Sequence, residues 1–152
     1  MADQATQVIV ISAPPRACFD VAVDVERYPE WVGDIKQVTV EERDAEGRGV
    51  LVRFRTAAFG RSTSYELRYD YSEAPKVLSW IEVEGDLTSK LDGAYVFAEM
   101  PVGDETGTEV TYHLEAELKF PIPGFVKRRA EGRIMHSALR QLKARVEATT
   151  AG

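Results

Sequence analysis

Residues 123–149, PGFVKRRAEGRIMHSALRQLKARVEAT, close the chain with one long helical pattern, and the rest of the sequence has to fold around it. Apolar side chains recur there at helical spacing: Phe125, Met135, Leu139, Leu142 and Val146. At ~100° per residue, Arg128 and Gly132 project within ~20° of Leu139, and His136 lies on the flank of the same stripe. A helix that only filled a core would carry Leu or Ala at those positions. A notch beside a cation and an imidazole points to something other than protein under the helix.

Upstream of this helix the pattern is almost entirely of period two. Gln7–Ile11 is β-branched and ends at Ser12; Pro14-Pro15 suits the first turn of a helix, where missing N–H groups cost nothing. A helix of about ten residues follows through Phe19, Val21, Ala22 and Val25, and a second short helical turn starts at Pro29. Strands then succeed one another. Tyr65, Leu67, Tyr69 and Tyr71 alternate against Ser64, Glu66, Arg68 and Asp70; Leu91, Gly93, Tyr95 and Phe97 share a face; Val110, Tyr112, Leu114, Ala116 and Leu118 share another. Turns are read at Asp44–Gly47, Phe59–Arg61, Glu73–Lys76, Gly85-Asp86 and Asp104–Gly107. Strict alternation with short turns is the signature of an antiparallel meander with one buried face. About seven strands and one long helix leave a single economical packing, a curved sheet wrapped around the helix.

The 152 residues suit one domain spanning 1–152. Hydrophobic residues make up 44% and charged residues 29%, as in an ordinary globular chain. A net charge of −6 argues against DNA as a partner, although Lys127, Arg128, Arg129 and Arg133 form a local basic cluster, read first as a solvated helix face. Cys18 is the single cysteine, which rules out an intrachain disulfide and a cysteine metal cluster; it reads as a small buried hydrophobe. No signal-like stretch or bilayer-spanning apolar run is present, so the expectation is a cytoplasmic protein without a transmembrane segment.

The order of elements, with Ser12-Ala13-Pro14-Pro15 opening the first helix, resembles the START-related (SRPBCC) helix-grip superfamily. Val23-Asp24-Val25-Glu26-Arg27-Tyr28-Pro29-Glu30-Trp31-Val32 is similar to the D-x-x-x-Y-P-x-W stretch of its bacterial polyketide cyclase/dehydrase and coenzyme-Q-binding-protein-like branch. Residues 93–97 and 107–112 resemble later strands of that branch. The resemblance covers essentially the whole chain. It implies an α+β helix-grip fold with two short helices between strands 1 and 2, and an elongated apolar cavity between sheet and C-terminal helix. Fold alone does not select among the superfamily's cyclases, lipid carriers, quinone binders and ribosome-associated proteins.

The candidate ligand contacts are Trp31, Tyr65, Tyr69, Tyr95, Tyr112, Arg128, Gly132 and His136. Tyrosines in a cavity supply apolar walls with polar tips, the usual construction of a small-molecule site; the bland alternative places them at the rim with wet hydroxyls. Arg128 is either an anchor for an oxygen of the ligand or a snorkelling side chain. Gly132 costs ~1 kcal/mol relative to Ala in a helix, so close approach of a strand or of a ligand is expected there. His136 is either a ligand contact or structural.

No metal-ligand spacing, phosphate loop or nucleophile motif occurs, and no cofactor is implied. The leading expectation is binding or carriage of a hydrophobic small molecule such as a lipid, quinone or polyketide-like aromatic. The alternatives are an aromatase/cyclase or dehydrase, using Arg128, His136 or a tyrosine to polarise a carbonyl, and a ribosome- or protein-interaction module using the Lys127–Arg133 face.

Overall fold

The computed structural model describes residues 4–58 and 60–150. The first strand, β1 (Gln4–Ile11), leads to helix α1 (Pro15–Val23), a 3-10 turn (Val25–Arg27) and the single-turn helix α2 (Tyr28–Trp31). Six strands follow: β2 (Ile35–Arg43), β3 (Gly49–Ala58), β4 (Arg61–Asp70), β5 (Val77–Gly85), β6 (Thr88–Val102) and β7 (Glu105–Leu118). Helix α3 (Gly124–Thr150) closes the chain. This is the α+β helix-grip arrangement, with two short helices between the first two strands. The turn read at Phe59 lies outside the described residues, while Gly60 beside it has φ 72°.

All seven strands form one antiparallel sheet in the order β1-β7-β6-β5-β4-β3-β2. The first two strands therefore sit at opposite edges, and α1 and α2 carry the chain from one edge to the other. Pro15 takes the first helical position, where its missing N–H costs no hydrogen bond. Cys18, Phe19 and Ala22 form the buried side of α1. The Tyr28 hydroxyl donates to the Ala22 carbonyl, tying α2 to the end of α1. The β1 end is clasped by Thr108, fully buried in β7, whose Oγ1 donates to the Ala13 carbonyl at 2.7 Å.

One turn departs from its expected place. The β6–β7 hairpin turns at Gly103, whose φ of 60° suits glycine, and Gly107 lies inside β7 beneath the Val102 side chain. The turn read at Asp104–Gly107 therefore falls earlier in the chain.

The concave face carries the aromatic residues that alternation assigned to it. Tyr65 faces Phe54, Tyr69 faces Trp80, and Tyr95 faces Tyr112 in register. Gly93 lies directly opposite Trp80. A Cβ at Gly93 would stand 2.5 Å from an indole carbon and 2.8 Å from the His113 carbonyl oxygen. The indole lies across the glycine, and no other residue leaves that room.

Helix α3 packs chiefly on β1, with smaller contacts to β7, α1 and α2. Its buried stripe is Glu131, Met135, Leu139, Leu142 and Val146, at spacings that match one helix face. The stripe starts only in the second turn. Phe125, expected on it, is 61% exposed.

The Gly93–Trp80 approach makes a direct prediction. Gly93→Ala should lower stability by about 1–3 kcal/mol through overpacking and shift the tryptophan emission spectrum. Unchanged thermal unfolding and an unchanged spectrum would contradict the packing described.

Candidate ligand-binding site

Rings on the inner side of the sheet join into two groups. On β5, β6 and β7, Tyr95 and Tyr112 meet at 4.8 Å between centroids, and Trp80 lies 5.4 Å from Tyr95 and 5.8 Å from Tyr112. Tyr69 extends this group, 5.9 Å from Trp80. On β3 and β4, Phe54 stacks on Tyr65 at 5.3 Å and on Tyr28 at 6.1 Å, and Tyr28 meets Trp31 edge-on at 5.0 Å. These separations are those of favourable aromatic pairs, each contributing about 0.5–1.5 kcal/mol beyond area burial.

The hydroxyls divide the six tyrosines into two sets. Tyr28 donates to the Ala22 carbonyl, and Tyr71 donates to the Gly49 carbonyl at 2.5 Å. Among the described residues, no protein group hydrogen-bonds the hydroxyls of Tyr65, Tyr69, Tyr95 and Tyr112, and all four oxygens keep accessible surface. A hydroxyl sealed in a core without a partner is costly, whereas one that opens onto a recess can meet a guest. Burial pushes all four phenols up from their ordinary value, and neighbouring phenols reinforce the shift for Tyr65, Tyr69 and Tyr95. These phenols therefore converge on shared, poorly solvated space and stay neutral at physiological pH.

Burial on the inner face is deepest in the middle of the sheet and lessens toward one end. Val110, Tyr112 and Leu114 on β7 are buried, whereas Ala116 and Leu118, on the same side of that strand, are only half-buried. Leu91, in register with Ala116, and Tyr65 and Tyr95 are half-buried too. That end lies where β7 runs out toward α3.

Glu82 stands at the same end, and the sequence reading passed over it. On β5 it follows Leu78 and Trp80 at period two and pairs with the inward-facing Leu67. The spacing itself was the available signal. Burial raises its carboxyl above the ordinary value, while a hydrogen bond from the Thr88 hydroxyl opposes that rise.

The candidates named from the sequence separate accordingly. Tyr65, Tyr69, Tyr95 and Tyr112 are brought together on the concave face. Trp31 touches this cluster through Tyr28 but also lines an outer groove of about 390 Å³ between α1, α2 and α3, with Val21, Arg145 and Thr149. Arg128 and His136 are exposed, which agrees with the snorkelling reading of Arg128. Arg128 precedes the buried stripe of α3, which begins at Glu131, and His136 lies beside that stripe next to Met135. Gly132 is half-buried opposite β1, not opposite the tyrosine-bearing strands: Gln7 Nε2 donates to its carbonyl at 3.0 Å. The strand-approach reading of that glycine is the one observed.

A second groove, of about 530 Å³, runs over the ends of β4 and β5; Arg68, Asp70, Ser79 and Ile81 line it together with Tyr69 and Trp80. Neither groove contains Tyr65, Tyr95 or Tyr112. Volume alone would favour the grooves, yet both are open and charged at their margins. The convergent phenols have the apolar walls and few polar tips that a small-molecule site needs. Among the described residues, no group of three or more His, Cys, Asp or Glu side chains could hold a metal ion.

A curved antiparallel sheet, a long closing helix and an aromatic concave face define a helix-grip protein of the START-like class. The chain belongs to the family described as polyketide cyclase / dehydrase and lipid transport, whose model matches residues 11–143. Among solved structures it is similar to a START superfamily protein from Mycobacterium smegmatis, at 23% identity over 96% of this chain and 98% of that one, with a TM-score of 0.86. It is also similar to the Zhui aromatase/cyclase from Streptomyces sp. R1128, at 15% identity over 97% and 94%, with a TM-score of 0.80. A protein from Thermus thermophilus matches at 25% identity over 97% and 99%, with a TM-score of 0.75. No functionally curated protein matches the sequence.

The phenol environment predicts an alkaline transition. All six tyrosines have pKa values raised above the ordinary 10, Tyr71 to about 12. Their contribution to stability is fully present below pH 10 and is lost as pH rises from 10 toward 12 and beyond. Tyrosinate absorbance should therefore appear together with loss of the circular dichroism signal. Phenolate at pH 10 in a fully folded protein would contradict the burial described.

Proposed function

We propose that the protein binds or carries a hydrophobic small molecule, such as a lipid, quinone or polyketide-like aromatic, on the concave face of the sheet beneath α3. The observation that carries this reading is the set of four convergent tyrosines whose hydroxyls bond no protein group and keep accessible surface. A ligand with an apolar body lies against Trp80, Phe54 and the tyrosine rings, and its few polar atoms meet the phenols. Family membership supports the reading, since the family's description joins cyclases with lipid transport.

The similarity to an aromatase/cyclase keeps polyketide-like aromatics among the ligands considered. Catalysis through Arg128 or His136 has no support in their exposed positions. A net charge of −6 favours an uncharged guest over a polyanion such as DNA. No helix among the described residues is long and apolar enough to cross a membrane. We place the protein in the cytoplasm, where Cys18, a buried free thiol, would stay reduced.

Two measurements test the reading. Native mass spectrometry of protein purified without organic extraction should show a bound apolar mass. Titration with a lipophile should quench tryptophan emission in the wild type and much less in Trp80→Phe, which retains only Trp31. Quenching that survives intact in Trp80→Phe would move the ligand to the outer groove and overturn the assignment.

A further inference from the structure

Regular pairing on the inner face breaks down on both sides of Glu82 in β5. Pairing between β5 and β6 runs from Val77↔Val96 to Trp80↔Gly93 and then ends. At the next inward position the Glu82 backbone N–H bonds the Asp92 side chain, Oδ1 at 2.9 Å, instead of a backbone carbonyl. On the other side the register slips: Leu67 faces Glu82 but Glu66 faces Glu84, so Val83 is an extra residue in β5. Bulges of this kind bend a strand and re-aim its side chains.

The carboxylate so placed is held from several sides. Glu82 Oε2 accepts from the Thr88 hydroxyl. It folds over Gly85, where a Cβ would stand 2.6 Å from Oε2. The remaining oxygen, Oε1, has no protein donor among the described residues and keeps accessible surface. The charged and titratable neighbours that Glu82 feels are Asp92 and Lys119, and Glu82 in turn acts on the Tyr65 phenol. Tyr65 is one of the four uncommitted hydroxyls.

From this geometry we infer that Glu82 is the polar terminus of the ligand site, and that it selects a lipophile whose polar end is a hydroxyl over one that ends in a carboxylate. The inference rests on the carrier reading and sharpens it. The hydroxyl donates to Glu82 Oε1 and accepts from Tyr65, while the apolar body lies along the ring cluster. A fatty acid or aromatic acid brings a second carboxylate, which meets an acceptor where it needs a donor. Thr88 is a positioning residue: its hydroxyl fixes one carboxylate oxygen and leaves the other directed at the guest.

Equilibrium dialysis with naphthol, naphthoate and naphthalene tests this with wild type, Glu82→Leu and Glu82→Gln. In the wild type, naphthol should bind at least about tenfold more tightly than naphthoate, the scale of one charge-assisted hydrogen bond. In Glu82→Leu the ratio of naphthol to naphthalene affinity should fall by about tenfold. In Glu82→Gln, which keeps the side-chain shape and serves if the Leu variant does not fold, naphthoate should gain about fivefold or more. Ratios unchanged in both variants, with all three probes still bound, would overturn the role of Glu82 and leave the carrier reading standing. No binding of any probe to the wild type would overturn the carrier reading, and the role of Glu82 with it.

Discussion

One helix has to cover the inner face of seven strands, and it covers only part of it. Helix α3 packs on β1, β7 and α1 through Met135, Leu139, Leu142 and Val146. Its backbone makes at most slight contact with β3–β6. A sheet face left apolar and wet is unfavourable at roughly 25 cal/mol per Å². This chain covers that part with rings: Phe54, Tyr65, Tyr69, Trp80, Tyr95 and Tyr112 all point inward from it or from the adjoining β7. The choice of tyrosine over leucine at so many of these places is what separates a ligand site from a plain core.

Two kinds of tyrosine make the distinction physical. Tyr28 and Tyr71 behave as structural residues, with hydroxyls bonded to backbone carbonyls that hold α2 and the β3 end in place. The others keep their hydroxyls directed into shared space, close enough to raise one another's pKa. Leaving such groups without protein partners weakens the empty fold by a few kcal/mol at most, and a ligand that meets them recovers the loss. The Trp80–Gly93 contact fixes the floor of this arrangement, since the indole can lie flat only over a residue without a side chain.

Most of the architecture was legible because it depends on period alone. Alternation in β4, β6 and β7 assigned Tyr65, Tyr69, Tyr95 and Tyr112 to the inner face, and the structure has them there. The errors all came from quantities that periodicity does not contain. An angular reading of α3 put Arg128 in line with Leu139, but it does not contain where along the helix burial begins, which is at Glu131. It treated Gly132 as a gap, whereas the carbonyl of that residue, invisible to any side-chain pattern, is the partner of Gln7. Glu82 has the right parity, yet its significance depends on a bulge and on the loss of β5–β6 pairing, both long-range events. Local pattern thus assigned the ring-bearing positions to the inner face and passed over Glu82.

The central claim is that the convergent phenols, not the outer grooves, form the ligand's surroundings. Isotope-filtered NMR on labelled protein with an unlabelled bound lipophile tests it most directly, through cross-peaks between ligand and side-chain protons. The account predicts cross-peaks to the rings of Tyr65, Tyr95 and Tyr112. Cross-peaks confined to Val21, Trp31 and Thr149, which line the groove between the helices, would contradict it.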